Sequence, residues 1–269
     1  MSVLVLTLQG PLQSWCVDPR LDASGATLQT QEVPGLAPVT GMIASAMGLP
    51  RTHTEAWTEN ALMGVRVDRP GTRIREFQTV GVIDEKRYEK ALSKGHILPT
   101  WRDTDDLARK NGNPMMTVVP RTLLSDARFT VALTGGGLPV EEAAEALRDP
   151  AHQLYLGLRA CPPTTHVLAG VLEGEDVYEA LQHHYGDDHL PDKDLRMVID
   201  SRAHGLPDTG AIRHVTDIRI ARPGLRRYRS RAVRDFLWTN SAPADPNLIH
   251  AGEDYLNPLD FAASLKDAA

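Results

Sequence analysis

The segment "SVLVLTL" at residues 2–8 is apolar on both faces of a strand. Two valines and a threonine would occupy one face, and three leucines the other. Such a pattern is typical of a central strand that is covered on both sides. "QGPLQSW" follows at 9–15, where Gly10 and Pro11 predict the end of the strand. The sequence therefore predicts a buried first strand that runs into a turn.

Helix and strand signatures alternate through the following residues. Thr40 has the side chain of an N-cap and predicts the start of a short helix. The later elements are predicted as strands at 62–70 and 128–136, a helix at 135–150 and a fourth strand within 151–172. The order strand, helix, strand, strand, helix, strand is that of a ferredoxin-like fold. We therefore predict an α+β protein with a ferredoxin-like (RRM-like) core.

A long insertion separates the second predicted strand from the third. It has strand-like runs at 74–82 and 115–124, on either side of a charged middle. We interpret the insertion as a protruding β-ribbon, a thumb at about 73–124. The first predicted domain then covers residues 1–172, thumb included.

The remainder of the chain, 173–269, is predicted to be a smaller β-rich region. Strand-like alternation occurs at 195–201 and 210–221. A basic segment at 219–234 and an acidic tail at 241–269 complete this region.

Composition excludes several classes of protein. The chain has 269 residues, 42% hydrophobic content and a formal net charge of −6, as expected of a globular protein. No apolar run approaches the ~18 residues of a membrane span, so no membrane association is predicted. Cys16 and Cys161 match no metal-ligand spacing, and neither a metal nor another cofactor is predicted. A cytoplasmic location is expected from this cysteine usage.

The segment "RRYRSRAVR" at 226–234 concentrates five arginines in this acidic chain. As a strand it would place Arg227, Arg229 and Arg231 on one face, whereas as a helix its arginines would point in all directions. Guanidinium groups match phosphate oxygens, and Tyr228 could stack on bases. The alternative is a solvated face that pairs with Asp235 or with the acidic tail. The residues alone leave nucleic-acid binding and this alternative open.

Other chemistry-bearing residues give weaker signals. "TGGGLP" at 134–139 lacks the lysine of a phosphate-binding loop and is interpreted as a strand-to-helix connection. His183 and His184 head a loop-like group of ligand-type residues without a standard metal spacing. Cys161, before two prolines, is interpreted as a packing residue rather than a nucleophile.

Several motifs in the chain resemble one family. The most specific are "LVLTLQGPLQSW" at 4–15 and "YLGLRACP" at 155–162. Weaker matches are "REFQTVG", "RTLLSDARFTVAL" and "RRYRSRAVRDFLW". All five occur along the chain in the order that the family has. Together they resemble the CasD family of the RAMP superfamily. Members of this family hold the 5′ handle of crRNA in the type I-E CRISPR Cascade complex. The resemblance covers roughly residues 2–238.

The resemblance implies a non-catalytic RNA-binding subunit that serves antiviral defence. Its implied partners are the crRNA 5′ handle, the Cascade backbone subunits and the large subunit, with target DNA reached only through the complex. The thumb would lie beside the RNA and contact a neighbouring backbone subunit. The implied RNA contacts are Gln13, Trp15, Arg73, Arg75, Gln78, Arg121, Tyr155, Arg159, Arg222, Arg226, Arg227 and Arg229.

Two alternatives remain at this stage. The chain could be a metal-independent endoribonuclease that processes CRISPR repeat RNA, with an acid/base set formed by His96, Tyr88 and Lys94. It could also be a small-molecule enzyme on a ferredoxin-like fold, which a deep apolar pocket would support.

Overall fold

The protein is described here from a computed structural model, which covers residues 2–15, 29–50, 54–81, 93, 116–183, 194–220 and 227–239. Within these residues the strands are β1 Ser2–Gln9, β2 Leu12–Gln13, β3 Ala61–Arg69, β4 Thr72–Gly81, β5 Met116–Ser125, β6 Arg128–Gly135, β7 Leu168–Glu173, β8 Asp194–Asp200, β9 Ala211–Ile220 and β10 Arg227–Thr239. The helices are α1 Leu36–Ala46, α2 Thr54–Asn60, α3 Val140–Arg148 and α4 Val177–Ala180.

The largest sheet has seven strands in the order β7-β1-β6-β3-β8-β10-β9. Every neighbouring pair in it is antiparallel. β1 lies between β7 and β6, and Val3, Leu4, Val5 and Leu6 are all fully buried. The prediction of a first strand that is buried on both faces is confirmed, as is a mixed fold of helices and antiparallel sheet.

Two compact units divide the chain. The first comprises Met1–Asp18, Thr30–Arg73 and Leu124–Ala269, and the second Pro19–Gln29 and Ile74–Leu123. The predicted domain boundary after residue 172 falls inside the first unit. There β8 pairs with β3 and continues the sheet that begins with β1.

The described part of the second unit consists mainly of strand. It holds most of β4 and β5, which are neighbours in a separate three-stranded sheet of order β2-β5-β4. β2 pairs with β5 only through Leu12 with Ser125 and Gln13 with Leu124, all four of which belong to the first unit.

Helix α1 begins at Leu36 rather than at the predicted Thr40. Thr40 lies inside the helix, where its hydroxyl donates to the Leu36 carbonyl at 2.9 Å. The N-cap residue, Gly35, has no side chain to accept from the first turn. Asp217 of β9 supplies the acceptor instead, because its Oδ2 lies 2.9 Å from the Leu36 backbone nitrogen. A cap from 181 residues away is invisible to local sequence analysis.

Helix α3 begins at Val140, directly after the glycines and Pro139 that the sequence analysis interpreted as the connection leading into it. Gly135, Gly136 and Gly137 all have positive φ and form the turn between β6 and α3. A Cβ at Gly136 would lie 2.3 Å from the Trp57 carbonyl oxygen, so the backbone can pass there only as glycine. The interpretation of this run as a connection is confirmed.

Helix α4 covers part of one face of the main sheet. Its Val177, Ala180 and neighbouring Leu181 join a buried cluster with Val3 of β1 and Phe236 of β10. Arg66 of β3 is itself buried and donates to the carbonyls of Leu181 and His183, just past the helix end. These bonds satisfy carbonyl groups that the end of a helix leaves without partners.

A buried ionic cluster joins the last three strands of the sheet to α1. Arg231 of β10 donates to both carboxylate oxygens of Asp217, each at 2.9 Å, and lies 3.4 Å from Asp200 of β8. Burial alone would raise the pKa of Asp200, but hydrogen bonds from Arg202 and the charge of Arg231 lower it below its ordinary value. The cluster therefore holds ionised groups inside the protein.

Substitution of Asp217 tests this cluster. Asp217→Ala should lower the free energy of unfolding by about 3 kcal/mol, because Arg231 keeps its buried charge while losing its main partner. The Leu36 N–H also loses its acceptor. Urea unfolding, followed by circular dichroism, measures the change.

Asp208→Ala is the matched control, since Asp208 is exposed. A difference between the two variants of less than about 1 kcal/mol would show that the cluster does not stabilise the fold.

Candidate nucleic-acid interface

The two most specific sequence motifs form one structural feature. The backbone nitrogen of Ser14 donates to the Leu156 carbonyl at 3.0 Å, and that of Leu156 donates to the Cys161 carbonyl at 2.7 Å. Gly157 has φ of +89°, and a Cβ added there would lie 1.7 Å from the Ser14 carbonyl oxygen. Gly157 therefore permits the direct approach of the two segments, which we call the motif junction (residues 10–15 and 155–162).

Gln13 and Trp15 lie inside this junction. Both side chains are fully buried. Gln13 Nε2 donates to the carbonyls of Leu8 and Ala127, and its Oε1 accepts from Trp15 Nε1 at 2.9 Å. The structure corrects the prediction that these two side chains contact RNA, because their polar atoms bond to protein and neither is accessible. Their role is to hold the turn after β1.

Tyr155 and Arg159 are the two predicted RNA contacts of the junction that remain accessible. Tyr155 is half-buried, and its hydroxyl group donates to Gln153 at 3.2 Å. Arg159 is exposed. Cys161 is buried, in agreement with a packing role. The junction thus presents one tyrosine and one arginine to an outside partner.

The predicted contacts near the thumb fall on β4 and β5. Arg73 and Arg75 are exposed on β4, and Arg121 on β5 is partly buried. Gln78 lies on β4, with its side chain outside the described part of the structure.

Residues 227–234 of the basic segment belong to strand β10, so the segment is a strand there and not a helix. Arg227 pairs with Ile220 through the backbone, and Arg229 is exposed with its guanidinium 3.9 Å from Glu59. Arg231 is not displayed as predicted, because Asp217 and Asp200 of neighbouring strands bury it. Arg222 and Arg226 lie outside the described residues.

A row of charges that the sequence analysis missed crosses the surface near β10. Asp235 accepts two hydrogen bonds of 2.9 Å from Arg196 of β8 and lies 2.6 Å from the guanidinium of Arg213 of β9. Glu32 lies 3.1 Å from Arg196 and 3.5 Å from Arg73. We call Arg213, Arg196 and Arg73 the arginine row.

The carboxylates of Asp235 and Glu32 orient the three guanidinium groups of the arginine row without covering them. The exposed fractions of the side chains are 46% for Arg213, 29% for Arg196 and 53% for Arg73. Hydrogen bonds to Asp235 raise the pKa of Arg196 above its ordinary value, so this group stays charged. Three cations against two anions leave the row with a net positive charge and free edges for an anionic ligand.

A pocket of about 470 Å³ lies at the Glu32 end of the row. Its apolar wall is formed by Val67, Pro70, Leu124, Leu195 and Leu237. Its polar wall is formed by Glu32, Arg73, Arg196, Asp68 and Asp194. Arg73 and Arg196 belong to both the pocket and the arginine row, so the two features are continuous.

The described residues contain no group of three or more histidine, cysteine, aspartate or glutamate side chains placed to hold a metal ion. None of the helices among them is long and apolar enough to cross a bilayer.

A protein-family profile matches residues 3–234, nearly the whole of the described structure. The matching family is described as "CRISPR-associated protein (Cas_Cas5)". The chain belongs to the Cas5 family of CRISPR-associated proteins. The family resemblance seen in the sequence motifs is therefore confirmed.

A curated relative and two solved structures are similar to this chain. The chain is 26% identical over 194 residues to "CRISPR system Cascade subunit CasD" of Escherichia coli (strain K12), covering 67% of this chain and 75% of that protein. A chain of a "CRISPR RNA-guided surveillance complex" is similar in fold, with a TM-score of 0.60, 24% identity and coverage of 98% and 99% of the two chains. A Cas protein crystal structure has a TM-score of 0.58 at 26% identity, covering 91% of this chain and 99% of that one.

Substitution of Gly157 tests the motif junction of this Cas5 protein. Gly157→Ala should destabilise the protein by about 4 kcal/mol or more, because the new Cβ meets the Ser14 carbonyl. Gly174→Ala is the matched control: its φ is also positive, at +81°, but the space around it is open. The control should cost only about 1–2 kcal/mol, from the left-handed backbone alone. Equal losses in thermal or urea unfolding would show that the close approach is not a constraint.

Proposed function

We propose that this protein is a non-catalytic RNA-binding subunit of a type I-E CRISPR Cascade surveillance complex. In this role it grips the 5′ handle of crRNA and caps the backbone subunits, in antiviral defence in the cytoplasm. Membership of the Cas5 family supports the proposal, as does the name of the curated relative, a Cascade subunit. The other partners are the large subunit and, through the complex, target DNA. No cofactor is part of the proposal.

The arginine row carries the proposal. A short single strand of RNA offers separated phosphates, which need local cationic contacts rather than a globally basic protein. Arg213 and Arg196 lie on strands either side of β10, opposite Val233 and Leu237, which places their backbones roughly 16 Å apart. Their carboxylate partners hold the guanidinium groups in position before the ligand arrives, which lowers the entropy cost of binding.

Exposed residues elsewhere extend the proposed RNA contacts. Tyr155 and Arg159 of the motif junction and Arg75 of β4 are accessible for stacking and phosphate binding. Arg229 is exposed on β10. Gln78, Arg121, Arg222, Arg226 and Arg227 complete the proposed set.

The proposed fold is a ferredoxin-like core with a thumb. β1, β3, β6 and β7 would be its four strands, with α1 and α3 as its two helices. Their spatial order β7-β1-β6-β3 supports this assignment, since it is the 4-1-3-2 order of a βαββαβ unit. The insertion at about 73–124 would form the thumb, which contacts the neighbouring backbone subunit.

RNA binding by single arginine variants tests the proposal. Arg73→Ala and Arg213→Ala should each weaken binding of a synthetic crRNA 5′-handle RNA about three- to tenfold at moderate salt, because each removes one charge-assisted phosphate contact. The slope of log K against log salt should fall by ~0.7 for each variant. Fluorescence anisotropy over a salt series measures both effects.

Arg148→Ala is the matched control, because Arg148 is also exposed but lies on α3. If all three variants bind RNA like the wild type, the arginine row is not the interface. If the wild type, alone or in its assembled complex, retains no crRNA, the proposed function fails.

The absence of catalysis has its own test. The wild-type chain, incubated with CRISPR repeat RNA in EDTA, should yield no cleavage products on a denaturing gel. Cleavage that disappears in His96→Ala, Tyr88→Phe or Lys94→Ala would instead support the endoribonuclease alternative. These three residues lie outside the described residues.

A further inference from the structure

We propose that the pocket beside Glu32 takes a single unstacked nucleotide of the bound RNA, whose phosphate displaces Glu32 from Arg73 and Arg196. This inference rests on the proposed function and adds a site for one base. It follows from three features of the pocket: an exposed apolar side chain, Leu237, in its lining, a replaceable carboxylate between two arginines, and a hydrogen-bond acceptor at the rim.

The apolar wall is suited to the face of a base. Leu237 of β10 leaves 66% of its surface exposed, although it is a large aliphatic side chain. Leu124, Leu195 and Val67 are buried behind the same wall. The volume of about 470 Å³ lies within the range of ~300–1,000 Å³ that is typical of small-ligand sites. A base on this wall would cover Leu237.

Glu32 occupies the position of a phosphate. Its two carboxylate oxygens reach Arg73 at 3.5 Å and Arg196 at 3.1 Å, and 55% of its side chain is exposed. Exposed ion pairs of this kind contribute little to stability, so an incoming anion can replace them. A phosphate group offers more acceptor oxygens and matches the guanidinium edge better than one carboxylate. Arg196 keeps its two bonds to Asp235 during the exchange and stays in position.

The rim supplies a polar contact that discriminates between bases. Asp194 is exposed, and its Oδ1 accepts from the Thr239 hydroxyl at 2.8 Å. A carboxylate accepts hydrogen bonds from base N–H groups, and guanine offers two neighbouring donors, its ring N1–H and its exocyclic amine, where uracil offers a single ring N–H. Asp68 on the inner wall is buried and already bonded to Arg66 and Thr130. The pocket should therefore prefer guanine, the base whose edge offers a carboxylate two donors.

The position of the pocket favours a nucleotide of a longer strand over a separate small molecule. Arg196 belongs both to the pocket and to the arginine row, so a strand that follows the row from Arg213 brings its next phosphates to the pocket mouth. A base that turns out of its stack there would enter with its own phosphate beside Arg73. Single-stranded RNA is commonly recognised through such splayed bases.

A fluorescence scan tests the inference. 2-Aminopurine, whose emission rises when it leaves a base stack, replaces each nucleotide of the 5′-handle RNA in turn, and each RNA is bound to the full chain or to the assembled complex. One position should brighten on binding. Leu237→Asp should abolish that signal and weaken binding about three- to tenfold, since it places a charge where the base and phosphate lie. Ile212→Asp, a control at a residue with 59% exposure on β9, should leave both unchanged.

Glu32 gives a second readout with the opposite sign. Glu32→Gln should strengthen RNA binding about two- to tenfold at low salt, because the phosphate no longer displaces a carboxylate from two exposed ion pairs. Glu145→Gln, the same change at an exposed position of α3, should leave affinity unaltered. If Glu32→Gln instead bound the RNA more weakly than the wild type, the proposal that a phosphate displaces Glu32 from the two arginines would be overturned.

The outcomes separate this inference from the function on which it rests. If RNA binds but no position gives a signal that Leu237→Asp removes, the nucleotide pocket is wrong and the RNA-binding function stands. If Leu237→Asp leaves RNA binding intact but blocks assembly of the complex, the pocket contacts a protein subunit and the inference is overturned. If wild-type protein in its complex retains no RNA, both proposals fail.

Discussion

The buried pair of Asp217 and Arg231 fixes the arrangement on which the proposed interface depends. Asp217 bonds to Arg231 of β10 and to the backbone of Leu36 at the start of α1, so one carboxylate joins two strands and a helix. Because both charges are buried, neither can leave the other without a large free-energy cost. β9 and β10, which carry Arg213 and Asp235, are held against the sheet by this constraint.

The same residue types play opposite roles a few positions apart. Arg231 is buried between aspartates and stabilises the fold, whereas Arg213 and Arg196 share Asp235 at the surface and keep their outer edges exposed. The difference follows from position: helix α1 contacts β9 near the buried pair, whereas exposed residues surround Arg213. An acidic chain thus presents locally positive charge where three surface arginines share two carboxylates.

The family motifs are informative about structure more than about contacts. The turn after β1 is built by Gln13 and Trp15, whose polar atoms bond to each other and to backbone. The approach of Gly157 to Ser14 explains why the two motifs occur together in one sequence. Residues that a pattern marks as special are as often required by close packing as by a ligand.

The sequence by itself determined the first strand, the position of α3 and the family. Successive apolar residues predicted β1 and its burial on both faces, because neighbouring side chains in a strand point to opposite sides of the sheet. The glycine run, Pro139 and the charges at the two ends of the helix located α3 to within five residues. The short motifs and their order along the chain were sufficient to recognise the family, because both can be found in the sequence without knowledge of the fold.

Only the tertiary structure decided which charges are buried and which are displayed. The partners of Arg231, the cap of α1 and the charge row through Glu32 and Asp235 all join residues far apart in the chain. No periodicity reports such pairs, because strand register and the side-by-side order of β8, β10 and β9 bring them together. The pocket beside Glu32 arises in the same way, from elements whose proximity is a property of the folded sheet.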